Sequence, residues 1–487
     1  MIDEAFSAFL GPRAENHEAF TDLLNRVLTH HIQFRANSYF TDNSLYPESY
    51  SAVKLQTELE AFLLRCNSNP PYFHPRYSAQ MLKDPALTVP LGYLAFMLSN
   101  PNNHAYEGGP VTTEMEMEVT DLLLKMCGFK TGWGHLCSGG SLANLEALWA
   151  VRDTYPEGGV VLFSEVSHYS WKRICQILGM CNFAEIPVDA SFRMDLNALE
   201  DRLKKEKALC VVANIGSTGT GSIDDISAIL TLRDRYGFHL HIDAAYGGFF
   251  RSVILDDIYQ VLPQQKINGI SNYVYTALND MQEADSITID PHKQGSVSYG
   301  AGAVVYKDEK LRQAILNTAP YTYHITDKPN IGMFSLEGSR PGAMAAACYL
   351  TYKVLPPNST GLGVLLKSSL DSAQYFTRGI NQSGKYRNLT TPDLDICCFW
   401  KTAHEDTVEA VSRASLNVYH ENSLEAEKPE FILSKFIVPP SVTQKLFSRA
   451  SGSEQLVTLR SVFMKHWYSL NDFYYINELL FKLESYD

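Results

Sequence analysis

The chain lacks any apolar run long enough to cross a bilayer. Its best stretch, residues 91–98, falls far short of the roughly 20 residues a membrane helix needs. It also lacks an excess of positive charge. With 54 acidic and 41 basic side chains the formal net charge is −13, which argues against nucleic acid or an anionic membrane surface as a partner. A small phosphorylated ligand stays open, because local charge decides such a site. The nine cysteines include no CxxC pair and no regular framework spacing, and Cys397 and Cys398 are adjacent, a poor arrangement for a relaxed disulfide. The start, MIDEAFSAFLGPRAENHEAF, carries acids where a signal peptide needs a basic stretch followed by an apolar one. A reducing cytoplasm is the expectation. Internal repeats and low-complexity segments are missing as well.

What the chain does have is length and apolar material. At 487 residues and 45% hydrophobic composition it can fill two or three cores of about 150 residues each. Residues 1–105 read as helices and loops rich in aromatics, interrupted by Pro70 and Pro71. From residue 106 the pattern changes. Short β-branched runs at 159–165, 210–216, 238–243, 286–290 and 300–307 alternate with helical patterns at 141–154 and 224–237. Apolar strands alternating with helices predict a mostly parallel sheet covered on both faces. That is an α/β class, with a large domain expected over 106–354. Past Pro356 and Pro357 the remainder mixes helix and strand (ICCFW at 396–400, FILSKFIVP at 431–439), as a small C-terminal α+β domain over 355–487 would.

Four separated features fall where such sheets collect ligands, at the carboxyl ends of strands. CSGGSLANL at 137–145 leads two glycines into an amphipathic helix, and a helix start offers free amides and a positive dipole end to an anion. Taken alone, it is equally well an ordinary helix start capped by Ser141. In HIDAAYGGFF at 241–250, Asp243 ends a strand and small residues follow, which would let a flat object lie against the backbone. In DSITIDPHKQG at 285–295, Lys293 sits in a Pro-His-Lys turn after another strand. His168 in FSEVSHYSW follows a third. A lone lysine is nearly always a solvated surface group, and a lone loop histidine carries no message. Together the four supply a lysine for a Schiff base, a carboxylate for a pyridinium nitrogen, a phosphate cradle and an aromatic lid. Those are the needs of pyridoxal 5′-phosphate (PLP).

A metal reading competes for His239, His241 and Asp243, which alternate along one strand and face the same way. Two histidines and a carboxylate can form an iron site. Three same-face residues on one flat strand diverge, however, so no metal is expected and the histidines are assigned to packing beneath the sheet end.

These residues resemble the group II PLP-dependent decarboxylases, which share the aspartate-aminotransferase-like fold (fold type I). The resemblance covers residues 72–357 and rests on SGGSLAN (138–144), HIDAAYGG (241–248), ADSITIDPHK (284–293) and PVTTEME (110–116). Within that family the likeness to bacterial tyrosine decarboxylases is greatest, carried by PRYSAQMLKDP (75–85), LGYLAFMLSNPNN (91–103), SHYSWKRICQILGM (167–180) and SLEGSRPGAMAAA (335–347). One departure is Gln294, which stands where the family more often has a bulky side chain such as Trp or Met.

The resemblance implies PLP on Lys293, Asp243 on the ring nitrogen, His168 stacked on one ring face and Ala245 on the other. Gly140, Ser141 and Thr218 would hold the phosphate, bordered by His292. Thr113 would lie near the substrate. Asp290 is expected to turn its side chain away from the phosphate, and Arg340 to form a structural salt bridge. Tyr321 is the candidate acid that protonates the carbon after carbon dioxide leaves, with Tyr323 its rival. The implied reaction is decarboxylation of an L-amino acid, aromatic by likeness. An aspartate or glutamate decarboxylase, a carbon–carbon lyase and an aminotransferase are the alternatives, since one fold hosts them all. Relatives of this fold work as homodimers, so residues 1–105 are expected to wrap a partner chain.

Overall fold

The structure, a computed structural model, describes residues 4–43, 52–318, 328–450 and 453–486. Seven strands form the main sheet: β1 Trp133–Cys137, β2 Val160–Ser164, β3 Phe183–Ile186, β4 Ala208–Asn214, β5 His239–Asp243, β6 Ser286–Ile289 and β7 Gly302–Tyr306. Their spatial order is β1-β7-β6-β5-β4-β2-β3. Strands β6, β5, β4, β2 and β3 run parallel, whereas β7 is antiparallel to both β6 and β1. The carboxyl ends of β1, β2, β4, β5 and β6 therefore share one edge.

Five of the strands are the expected apolar runs. The other two, β1 and β3, are the outermost, and WGHLC and FAEI carry little β-branched signal. Alternation along each strand feeds two cores. Val160, Leu162, Val211, Ala213, Leu240 and Ile242 pack on one face, while Val161, Phe163, Cys210, Val212, Val304 and Tyr306 pack on the other. Helix Gly140–Thr154 covers the second face with Ala143, Ala147, Ala150 and Val151. The second face is polar along β5 and β6, where His239, His241 and Asp243, out of phase with Leu240 and Ile242, meet Ser286 and Thr288.

A second sheet of four antiparallel strands follows: β8 Tyr386–Asn388, β9 Ile396–Lys401, β10 Ser434–Ile437 and β11 Val457–Val462, in the order β10-β11-β9-β8. Two of its residues reach the main sheet's ligand edge. Arg460 of β11 donates to the carbonyls of Thr218 (2.9 Å) and Gly219 (2.8 Å). Asp395, just before β9, accepts from Tyr246 (2.6 Å) and Gln294 (2.7 Å).

The N-terminal stretch divides in two. Phe6 and Phe9 are buried against His466 and Trp467, and helix Thr88–Met97 lies so close to helix Gly342–Val354 that a Cβ on Gly92 would come within 2.8 Å of the Ala346 carbonyl. Helices His17–Asn37 and Val53–Cys66 do not join that core; the second buries none of its side chains. Phe34, Phe40 and Phe62 are 59%, 80% and 61% exposed. Tyr46 lies outside the described residues. Among the described residues no helix is long and apolar enough to cross a membrane.

Candidate active site

At the carboxyl edge of the main sheet lies a cavity of about 440 Å³. Its wall brings together Gly140, Ser141, His168, Thr218, Asp243, Ala245, His292 and Lys293, delivered by the ends of β1, β2, β4, β5 and β6 or the turns after them. Thr113 is not on that wall. It is fully buried in helix Pro110–Cys127, where its amide closes the first turn onto Gly109 at 2.8 Å. Tyr321 and Tyr323 lie outside the described residues. Arg340, 4% exposed, pairs with buried Glu116 and donates to the Leu136 carbonyl, so it ties β1 to the helix beneath it.

Helix Gly140–Thr154 begins two residues earlier than a Ser141 cap would require. The cap position is Gly139, and no side chain caps the helix. Its first amides are thus open to the cavity, with the positive dipole end behind them. Glycine is needed at 140, since a Cβ there would approach Asp290 Oδ2 to 2.8 Å and the Ala245 Cβ to 3.1 Å. Across the cavity Gly216 has φ +89°, and the loop from Gly216 to Thr218 is fixed from behind by Arg460.

Lys293 Nζ lies 3.0 Å from Asp290 Oδ2. Burial acts to lower its pKa, but the carboxylates of Asp290 and Asp243 outweigh burial and raise it. Asp290 does not turn away from the cavity. Its side chain faces Gly140 and Lys293, and Oδ1 is buried without a hydrogen-bond partner. The physical reason is the lysine three residues on: a partly buried ammonium needs a counter-charge, and Asp290 is one helical turn's reach from it. His292 donates from Nδ1 to the Ala301 carbonyl at 2.6 Å. Its ring stands beside Gly139, whose added Cβ would come within 3.2 Å.

Asp243 is gripped on one oxygen only. Oδ2 accepts from Asn144 Nδ2 at 2.8 Å and Trp171 Nε1 at 3.0 Å, while Oδ1 takes just the Ala245 amide at 3.3 Å. A carboxylate can accept about four hydrogen bonds, so Oδ1 keeps capacity for a donor in the cavity. His168 accepts at Nδ1 from the Ser170 hydroxyl (2.7 Å) and amide (3.4 Å). Burial lowers its pKa below the usual imidazole value. The ring is therefore neutral with its proton on Nε2, suited to lie against a flat ligand without bringing a charge.

Sequence reasoning missed several contributors. Asn144 and Trp171 stand inside quoted motifs, yet only their shared contact with Asp243 shows their use. Asn214 lines the wall with its amide held by buried Asp224 at 3.0 Å. Gln294 is fully buried and bonds Asp395, Tyr246 and Lys83. It ties the lysine turn to the small sheet and the N-terminal stretch, rather than forming a wall.

These groups fit a phosphorylated pyridine aldehyde. An amine, a one-sided carboxylate, a neutral aromatic ring and an uncapped helix start surround one space of suitable size.

Comparison with known proteins agrees with that fit. The pyridoxal-dependent decarboxylase conserved domain matches residues 69–402. The chain is 31% identical over 470 residues to an L-tyrosine decarboxylase of Enterococcus faecium, with 77% of each chain covered. It is 32% identical over 461 residues to an L-tyrosine decarboxylase of Levilactobacillus brevis, covering 76% of this chain and 74% of that one. An aspartate 1-decarboxylase of Aliivibrio fischeri is 30% identical over 423 residues, with coverage of 76% and 72%. Among solved structures, Oryza sativa TDC with PLP and tryptamine superposes with a TM-score of 0.74 at 16% identity, over 95% of this chain and 98% of that one. Mouse CSAD superposes with a TM-score of 0.74 at 18% identity, over 96% and 98%. At these identities the structures show a shared fold.

Proposed function

The chain belongs to the pyridoxal-dependent decarboxylase family, and from that premise we propose that it converts an aromatic L-amino acid, tyrosine first, to its amine. It is a PLP-dependent carboxy-lyase acting on an amino acid. The observation that carries the aromatic reading is the cavity wall. It offers Leu142, His168, Tyr169 and Tyr246, and among its described residues Lys293 is the one lysine or arginine. A side-chain carboxylate would ask for a second cation. The likeness to tyrosine decarboxylases supports the same choice.

PLP, when bound, supplies a sink for the electron pair left as carbon dioxide departs. The chain's own groups hold and orient it. Lys293 carries it covalently, and Asp290 keeps the amine charged whenever the lysine is free. Asp243, whose Oδ1 keeps capacity for a donor, would accept from the ring nitrogen and so hold the proton that makes the ring electron-poor. His168 would cover one ring face and Ala245 would support the other. The amides of Gly140 and Ser141, with Thr218 and His292, bind the phosphate. Tyr321, outside the described residues, would be the candidate to bring the proton to the substrate carbon, with Tyr323 its rival.

The test is product analysis. Holoenzyme incubated separately with tyrosine, phenylalanine, tryptophan, aspartate and glutamate is expected to release tyramine fastest. Faster release of β-alanine or γ-aminobutyrate would reverse the assignment to an acidic substrate.

The working unit proposed is a homodimer in the cytoplasm. All nine cysteines are unpaired, as a reducing compartment allows. Helices His17–Asn37 and Val53–Cys66 carry exposed Ile32, Phe34, Leu55, Phe62 and Leu64. Burying each such side chain gains roughly 1.5–3 kcal/mol, and a second copy is the surface that would cover them. Light scattering should give twice the 54.6 kDa chain mass for the intact protein. Removal of the first 66 or so residues should give a monomer or an aggregate; a dimer from that shortened chain would refute the wrapped arrangement.

A further inference from the structure

On the second face of the main sheet, beside the buried His135–Glu146 pair at its edge, a polar line runs from β5 and β6 and ends on Asp243. From β5, His239 Nε2 and His241 Nδ1 each lie 2.8 Å from Ser286 Oγ of β6, where Ser286 is the cross-strand partner of His241. His241 Nε2 lies 3.0 Å from Asn144 Oδ1, with Thr288 Oγ1 at a longer 3.4 Å. Asn144 Nδ2 reaches Asp243 Oδ2 at 2.8 Å. His239, His241, Ser286 and Asn144 are all buried.

Chemistry fixes the direction of every bond in this line. A carboxylate only accepts, so Asn144 must turn its amide nitrogen to Asp243 and its oxygen to His241. His241 must then carry a proton on Nε2. Burial holds both imidazoles neutral, far below their usual range, so His241 Nδ1 is an acceptor and takes the Ser286 hydroxyl proton. The Ser286 oxygen in turn accepts from His239 Nε2. Donors and acceptors match at each of the four links, and no other assignment satisfies them all.

We infer that His239, Ser286, His241 and Asn144 form a one-directional hydrogen-bond relay whose task is to hold the Asp243 carboxylate with Oδ1 turned to the cavity for the cofactor's ring nitrogen. These are positioning residues. They touch neither cofactor nor substrate and act through the carboxylate. The inference rests on the assignment of Asp243 to the ring nitrogen made above. If His241 lost its Nε2 donor, the Asn144 amide would lose the bond that sets its orientation. Turned over, it would aim an oxygen at the carboxylate, which would then move or take up a proton. A packing role alone requires no such matching of donor to acceptor at every link.

The test uses holoenzyme reconstituted with PLP labelled at the ring nitrogen with a heavy isotope, whose magnetic resonance shift separates the protonated from the unprotonated ring. Wild type should show a protonated ring, and Asp243→Asn an unprotonated one. His241→Leu should move the signal toward the unprotonated position and lower kcat roughly 10- to 100-fold, the worth of the Asn144 hydrogen bond to the Asp243 carboxylate that His241 orients, with KM unchanged. His241→Gln keeps an amide donor and should restore much of both. Ser286→Ala, a smaller change that decides the matter if His241→Leu does not fold, should shift signal and kcat the same way to a lesser extent. If Asp243→Asn moves the ring signal while His241→Leu or Ser286→Ala leaves signal and kcat at wild type and lowers only the melting temperature, the relay is refuted and the histidines are packing. If Asp243→Asn leaves the ring protonated, the assignment of Asp243 itself fails, and the relay with it.

Discussion

Lys293→Ala should remove amine production almost entirely, a loss of at least roughly 10²–10⁴-fold, the range associated with removing a positioned proton-transfer group, with the loss of covalent attachment added. The same variant should keep some affinity for PLP. The uncapped start of helix Gly140–Thr154, the loop holding Thr218 and the grip on Asp243 do not depend on the lysine. Borohydride treatment separates the two effects. In wild type it should fix the cofactor permanently to the peptide bearing Lys293, and in the variant the cofactor should dialyse away. A variant with wild-type turnover would overturn the central assignment, as would a wild-type protein that stays colourless when PLP is added.

Asp243→Ala is expected to cost far more activity than cofactor. Two opposite charges about 4 Å apart in an effective dielectric near 20 attract by roughly 4 kcal/mol. At 1.36 kcal/mol per tenfold step, that corresponds to a fall in kcat of about 10³. PLP affinity should fall much less, because phosphate and ring-face contacts remain. Removing this side chain also leaves the Asn144 amide and the Trp171 indole without their shared acceptor, so some loss of stability should accompany it. Asp243→Asn separates the terms, since it keeps the shape and removes the charge. Near wild-type kcat in Asp243→Asn would show that the carboxylate is not what holds the ring proton.

The small sheet bears on both experiments, because it braces the cavity from behind. Arg460 holds the Thr218 loop, and Asp395 holds Tyr246 and Gln294, the latter next to Lys293. Burial pushes the Asp395 carboxyl up to about 6, and its two neutral donors are what make it tolerable there. The lysine turn is therefore anchored through its neighbour to an element more than a hundred residues away in sequence.

Much of this was legible in the sequence for a local reason. A strand followed by a tight turn fixes where the next few side chains point, so Asp243, Lys293 and His168 could be assigned to one sheet edge from strand patterns alone. Each needed only its own ten residues. The apolar runs of the central strands were legible too, because burial on both faces leaves them no polar positions. The edge strands Trp133–Cys137 and Phe183–Ile186 were not, since fewer neighbours constrain what they contain.

The sequence by itself therefore determined the parallel sheet, the ligand edge and the type of chemistry gathered there, through short-range periodicity and turn geometry. Only the tertiary structure decided which atoms face which. It placed Ser286 between two histidines, set Asn144 of a covering helix against Asp243, and turned Asp290 into the cavity beside Lys293. It also left two N-terminal helices with bare apolar faces. The serine–histidine and asparagine–aspartate contacts join residues 45 to 99 positions apart along the chain, Asp290 meets Gly140 from a different element, and the bare helices are surface that no neighbour covers. A pattern of residue types cannot encode them, because the donor, the acceptor and the distance between them come from different elements brought together by packing.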